Sequence, residues 1–285
     1  VLEQERQPHD EPADLTDLIS SRAAQYVRDR AHARQPFILS LHYTAPHWPW
    51  ETRSQGGIDP EISRDIAHLD GGNVETYQTM IREMDEGIGW VVDALKETGQ
   101  LEDTVIIFTS DNGGERFSDN WPLVGGKMDL TEGGIRVPYI VHWPQGIQSP
   151  GRASEQHSLT MDWTATILDI AGVKPPAGHS LDGVSLRLTF DQPDATFERL
   201  MYWRMKHNDQ KAFRAGDWKY LKINEYEYLF NIERDARERA NQAKREPERL
   251  AAMRSQYEAW ASQIPPVPDD ARVSLIYNLA DMPAR

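Results

Sequence analysis

Thr104-Val105-Ile106-Ile107-Phe108-Thr109-Ser110-Asp111-Asn112-Gly113-Gly114 is the stretch on which the fold turns. Its first seven residues are a short apolar run rich in β-branched side chains, and it ends in polar Asp-Asn-Gly-Gly. That pattern predicts a core parallel strand that delivers a loop at its carboxyl end. Two more strands are expected: a buried one at 36–43, Pro-Phe-Ile-Leu-Ser-Leu-His-Tyr, entered from its proline, and one at 137–143, Val-Pro-Tyr-Ile-Val-His-Trp. Between the first two lies a helix at about 74–98. Its Tyr77, Ile81, Met84, Ile88, Val91 and Leu95 recur at steps of three and four, and Gly99 is placed to stop it.

Further helices are expected at about 14–32, starting near Asp14 or Thr16 with Leu15, Leu18, Tyr26 and Val27 inward, and at about 159–171, closed by Gly172. Strands alternating with helices predict an α/β fold with a mostly parallel sheet covered on both faces. Ligands of such sheets sit beyond the carboxyl ends of the strands, so the loops after 43 and 110 are the places to look. Residues 1–190 are assigned to this domain and 191–285 to a small second one. In the second, 212–222 and 226–230 read as an antiparallel pair. A charged stretch at 231–249 leads to a helix with Leu250, Met253, Tyr257 and Trp260 on one face, and a surface tail begins at Pro265.

The 285 residues carry a net charge of -14 and no cysteine. The charge repels phosphate backbones and anionic lipid, which argues against nucleic acid as a partner. The cysteine count excludes disulfides, thiolate metal sites and a cysteine nucleophile within the chain. No apolar run reaches the eighteen or so residues that a membrane-spanning helix needs. The N-terminus lacks an initiating Met and the marks of a leader, and reads as the middle of a protein.

Four segments could carry chemistry. Ala45-Pro46-His47-Trp48-Pro49-Trp50 fixes His47 between prolines after a strand; the plainer reading is a satisfied surface histidine. Asp111-Asn112 offers hard oxygen donors suited to calcium or magnesium, and Asp-Asn-Gly is equally ordinary turn chemistry. In Gly125-Gly126-Lys127-Met128-Asp129-Leu130-Thr131-Glu132-Gly133-Gly134-Ile135-Arg136-Val137-Pro138, paired glycines would let an anion approach Lys127, or simply make a flexible loop. Ala215-Gly216-Asp217-Trp218-Lys219-Tyr220 is read as a structural turn into an edge strand. Trp48 and Trp50 could line a sugar or aryl subsite or cover the core. His207 could reach the substrate mouth or remain a surface residue, and Asp162 is placed to serve the first turn of the 159–171 helix.

In order and spacing, Ala-Pro-His-x-Pro at 45–49, Thr-Ser-Asp-Asn-Gly-Gly at 109–114, the Gly-Gly-Lys…Glu-Gly-Gly-Ile-Arg-Val-Pro run at 125–138, Leu-Asp-Ile-Ala-Gly at 168–172 and Arg-Ala-Gly-Asp-Trp-Lys at 214–219 resemble the sulfatases of the alkaline phosphatase superfamily. The resemblance covers about residues 14–262. It implies a sulfuric-ester hydrolase whose nucleophile is formylglycine, made from Cys or Ser in a Cys/Ser-x-Pro/Ala-x-Arg motif. By that analogy Asp111 and Asn112 are half of a Ca2+ shell (Mg2+ being the alternative), His47 assists departure of the alcohol, and Lys127 lies on the sulfate. The substrate would be a small-molecule or carbohydrate sulfate ester, and export to the periplasm or beyond the cell would be usual.

The chain departs from the pattern in one respect: it holds no cysteine and no Ser-x-Pro/Ala-x-Arg string, so the nucleophile motif is absent. The resemblance places that motif, and two further metal-binding aspartates, in an N-terminal segment upstream. The isolated chain is accordingly expected to be inactive and to expose apolar sheet edges that the missing segment of the same protein would cover. Two other readings stay open: a phosphate or phosphonate ester hydrolase of the same superfamily, and a non-catalytic binding module that retains the fold.

Overall fold

The computed structural model describes residues 14–33, 35–55, 72–192 and 194–271. The sequence readings at the N-terminus and at the end of the tail fall outside them. The chain divides into two compact units, one running to Thr104 and the other over Val105–Ser274.

In the first unit, helix α1 (Leu15–Ala33) packs on helix α2 (Val74–Glu97). Asp14 caps α1 by accepting from the Asp17 N–H at 3.0 Å, and Asn73 caps α2 by accepting from the Thr76 N–H at 2.8 Å. Gly99, at φ +70°, follows the end of α2 as expected.

The buried faces differ from the expected ones. Thr16, Ser20, Ala23, Ala24 and Val27 are buried on α1, and Met80, Gly87, Ala94 and Leu95 on α2. Leu15 points outward and Ile81 is exposed. The reason is close approach: a Cβ on Gly87 would lie 2.1 Å from Ser20 Oγ, so small residues, not large apolar ones, mark the contact. Ser20 Oγ lies 3.0 Å from Tyr43 Oη, which ties the 36–43 segment to α1.

That segment is extended, with Phe37, Leu39, Leu41 and Tyr43 partly covered and Ile38, Ser40 and His42 exposed. A buried strand is expected here, but alternate residues are exposed and the segment joins no ladder among the described residues. The parallel pairing expected of it is therefore not formed there.

In the second unit, strand β1 (Ile106–Thr109) pairs antiparallel with strand β2 (Tyr139–His142). The connection between them carries both candidate loops and the one-turn helix α3 (Glu132–Ile135), and it returns the chain antiparallel. Helices α4 (Asp162–Ile170) and α5 (Arg187–Asp191) follow. Trp163 of α4 packs with Leu186 and Phe190 against side chains of both strands.

The small sheet and helix form as expected. Strands β3 (Leu200–Met205), β4 (Gln210–Ala215), β5 (Trp218–Ile223) and β6 (Tyr226–Asn231) make an antiparallel sheet in that order, followed by helix α6 (Pro247–Ala261). Alternation along these strands gives the sheet two buried faces. Phe213, Tyr220 and Leu229 pack on Met253 and Tyr257 of α6, while Ala212, Leu221 and Phe230 pack on Leu130 beside α3. The sheet thus backs the loop that carries Lys127. The start of the tail lies along the sheet, with Arg204 donating to the Pro265 carbonyl at 2.9 Å.

The mixed α/β organisation stands, although both sheets among the described residues are antiparallel. Apolar surface is open in each unit, with Ile38 77% exposed in the first and Ile140 58% exposed in the second.

Candidate functional site

Within the second unit, the loop after β1 and the Gly-Gly-Lys loop are knitted into one frame by backbone hydrogen bonds. Gly113 N–H donates to Gly134 O at 2.8 Å, Gly133 N–H to Val124 O at 2.8 Å and Lys127 N–H to Gly114 O at 3.1 Å. Only glycine fits at the crossing: a Cβ on Gly113 would stand 1.8 Å from Gly133 O, a backbone atom that cannot move aside. The structure therefore brings Asp111, Asn112 and Lys127 together on interlocked loops. Ser110 Oγ donates to Asn112 O at 2.9 Å and shapes the turn that carries the two oxygen donors.

Several residues that the sequence reading passed over hold this frame. Asn120 accepts from Gly114 N–H at 3.2 Å and donates to Gly114 O at 3.0 Å and Gly125 O at 3.1 Å. Buried Gln210 of β4 accepts from Leu130 N–H at 2.9 Å and donates to Met128 O at 2.8 Å. Met128 sits at φ +72°, a conformation that costs a non-glycine residue on the order of 1 kcal/mol or more, and Gln210 braces it next to Lys127. Gln210 also donates to the His207 carbonyl at 3.2 Å, which places half-buried His207 beside the same loop. Lys127 is largely covered, and its ammonium lies 3.2 Å from Glu115 Oε2.

Behind the loop lies a buried ionic cluster. Arg214 and Lys219 are directly opposed on β4 and β5, an arrangement of like charges that is unfavourable alone. Glu132 of α3 lies between them, 2.9 Å from Lys219 Nζ and 3.4 Å from Arg214 Nη1. Glu238 sits 2.8 Å from Lys219 Nζ and accepts from Glu132 N–H at 2.7 Å. Burial pushes the Glu238 carboxyl above the usual range despite Lys219. Arg214 Nη2 donates to His157 Nε2 at 2.6 Å, so this imidazole is neutral; burial, and then the Arg214 charge, lower its pKa. The Arg-Ala-Gly-Asp-Trp-Lys element is structural, as read, but what it supports is the Lys127 loop. Asp162 does more than serve a helix turn: fully buried, it accepts from the backbone N–H of Leu159 and Val184 and pairs with Arg199 at 2.7 Å.

In the first unit, exposed His47 has Nδ1 2.7 Å from Trp48 O. A carbonyl only accepts, so Nδ1 carries a proton. Trp48 is half-buried against the His47 ring at 5.2 Å, whereas Trp50 is buried in the core, where a Cβ on Gly72 would meet its ring at 2.5 Å.

Asp111 and Asn112 provide a carboxylate and an amide oxygen next to each other, the donor chemistry of a hard cation. Calcium takes six to eight oxygens, and no group of three or more His, Asp or Glu that could hold a metal ion occurs among the described residues. The pair therefore fits as part of a shell, not the whole of it.

Residues 3–173 match the Sulfatase family model, and residues 126–258 match that of the N-sulphoglucosamine sulphohydrolase C-terminal region. The chain belongs to the sulfatase family. It is 32% identical over 214 residues to N-acetylgalactosamine-6-sulfatase of Rattus norvegicus, covering 73% of this chain and 38% of that protein. It is 34% identical over 182 residues to steryl-sulfatase of Mus musculus, covering 60% of this chain and 27% of the relative. Among solved structures it resembles Ps i-CgsB, also determined in complex with k-i-k-neocarrahexaose, at 30% identity and a TM-score of 0.78, over 90% of this chain and 57% of that one. This sulfatase chain thus spans about two fifths of the length of the curated relatives it matches first. The likeness to solved sulfatases supports the alkaline-phosphatase-like fold class.

Proposed function

We propose that this chain supplies the sulfate-binding and part of the metal-binding groups of a sulfatase that hydrolyses a carbohydrate sulfate ester. The observation that carries the reading is the interlocking of two glycine-rich loops, which presents Asp111, Asn112 and Lys127 on one frame.

In this reading Lys127 pairs with a sulfate oxygen and neutralises charge that builds there as the ester bond breaks. Glu115, which pairs with the ammonium, is displaced from it when the sulfate enters. His47, from the family resemblance, gives a proton from Nε2 of its imidazolium form to the departing alcohol oxygen, while Nδ1–H stays on the Trp48 carbonyl. Asp111 and Asn112 would hold Ca2+ (or Mg2+), which when bound supplies positive charge to the sulfuryl oxygens. The formylglycine that the family uses as nucleophile is not encoded among these residues, so the reading assigns it to another segment of the intact protein. Trp48 and His207 are proposed to border the substrate, while buried Trp50 supports the fold. Carbohydrate is favoured as the alcohol because N-acetylgalactosamine-6-sulfatase and the structure in complex with k-i-k-neocarrahexaose are among the proteins it resembles.

The test is hydrolysis by the intact protein of 6-sulfated N-acetylgalactosamine, 4-nitrophenyl sulfate and 4-nitrophenyl phosphate. Sulfate release with calcium dependence is expected. A preference for the phosphate ester would favour the phosphohydrolase reading, and turnover of none of them would favour a binding module.

A further inference from the structure

We propose that Trp121 and Arg237 form a subsite for a sulfated sugar ring beside Lys127, an inference that rests on the sulfatase reading above. Trp121 is 69% exposed, an unusual position for so large an apolar ring. The Arg237 guanidinium lies over the ring at 4.0 Å from its centroid. The cation covers one face, and exposure of this extent leaves the other open to solvent.

Both partners are held in place. Trp121 follows Asn120, whose side chain shares the Gly114 carbonyl with the Lys127 N–H, so the indole is anchored at the Lys127 loop. The Trp121 backbone N–H donates to Asp119 Oδ1 at 2.9 Å. Arg237 precedes Glu238, which is held at φ +50° by its buried contacts with Lys219 and the Glu132 N–H. The same turn is closed by Asp235 Oδ2, which accepts from Arg239 N–H at 2.7 Å and Ala240 N–H at 2.8 Å. Arg237 Nε is buried and has no acceptor among the described residues.

A flat open indole face packs well on the C–H face of a pyranose. A guanidinium beside it is matched to a sulfate by paired, charge-assisted hydrogen bonds. The subsite would take a sugar that neighbours the one losing its sulfate, and would select for a sulfate on it.

The experiment compares Trp121→Ala, Trp121→Phe and Arg237→Met in the intact protein, using a multiply sulfated oligosaccharide and 4-nitrophenyl sulfate. The ratio of kcat/KM for the oligosaccharide to that for the aryl ester should fall about tenfold in Trp121→Ala and Arg237→Met, mostly through KM, and Trp121→Phe should recover most of it. Arg237→Met should also lose preference for a sulfate on the neighbouring sugar. A ratio within twofold of wild type in both variants overturns the proposal. So does a lower thermal midpoint with equal loss on both substrates, which would make the pair a packing contact. Calorimetric binding of the oligosaccharide separates the two readings. Binding that weakens in both variants, without hydrolysis by the wild type, would refute the sulfatase reading and support the subsite. No binding by the wild type overturns the subsite.

Discussion

Replacing Glu132 with Gln should be among the most damaging single changes to the second unit. Glu132 is 1% exposed and stands between two cations that oppose each other across β4 and β5. Lys219 is fully buried and Arg214 nearly so. The amide keeps the shape and removes the charge, leaving Glu238 as the one carboxylate on Lys219 and none on Arg214 among the contacts described. Breaking a buried pair in this way costs about 3–5 kcal/mol, because the cations remain out of water without compensation. A unit of this size loses roughly 2–4 °C of Tm per kcal/mol, so a fall of about 6–20 °C is expected. Circular dichroism of the intact protein during heating measures it. Adding Lys219→Met to Glu132→Gln should restore a large part of the loss, since an apolar residue needs no counter-charge. A single-variant loss below about 1 kcal/mol, or no recovery in the pair, would refute the view that this cluster holds the Lys127 loop.

The remaining expectations concern pH and packing. His157 has a native pKa below the ordinary imidazole value of about 6.5, so the unfolded chain binds more protons in that range. Stability should be fully present above about pH 6.5 and be lost as pH falls through the lowered native value. His157→Gln keeps an acceptor for Arg214 and should flatten that part of a stability-against-pH curve from urea unfolding; an unchanged slope would count against neutral His157. Tyr257 carries a buried hydroxyl with no partner among the described residues, and burial pushes its pKa to about 12. Tyr257→Phe should therefore be neutral or stabilising by up to about 1 kcal/mol, and a loss larger than that would show that the hydroxyl has a partner.

What the sequence revealed depended on how local the signal was. The ends of α2 were legible because Gly99 stops a helix by its own backbone freedom. The buried faces were not. Periodicity counts large apolar residues, while α1 and α2 meet through Ser20 and Gly87, which carry little hydrophobic signal but allow close approach. The extended character of 36–43 was visible in its composition, but its pairing depends on a neighbour that composition does not specify. Asp111, Asn112 and Lys127 stood out because glycines flank them. Glu115, Asn120 and Gln210 did not, since a polar residue looks the same whether it is solvated or bound to a loop elsewhere in the chain. Glu132 lay inside a recognised motif, yet its partners Arg214, Lys219 and Glu238 are brought to it only by the sheet.

The central claim is that the Lys127 loop binds the sulfate of an ester undergoing hydrolysis. It is tested most directly by kcat/KM of the intact protein with Lys127→Ala on a substrate that the wild type turns over. Removing a fixed charge-stabilising donor from a reacting oxygen costs roughly 100- to 1000-fold, and a fall of that size is predicted with the Tm held. Activity within a few-fold of wild type would contradict the account.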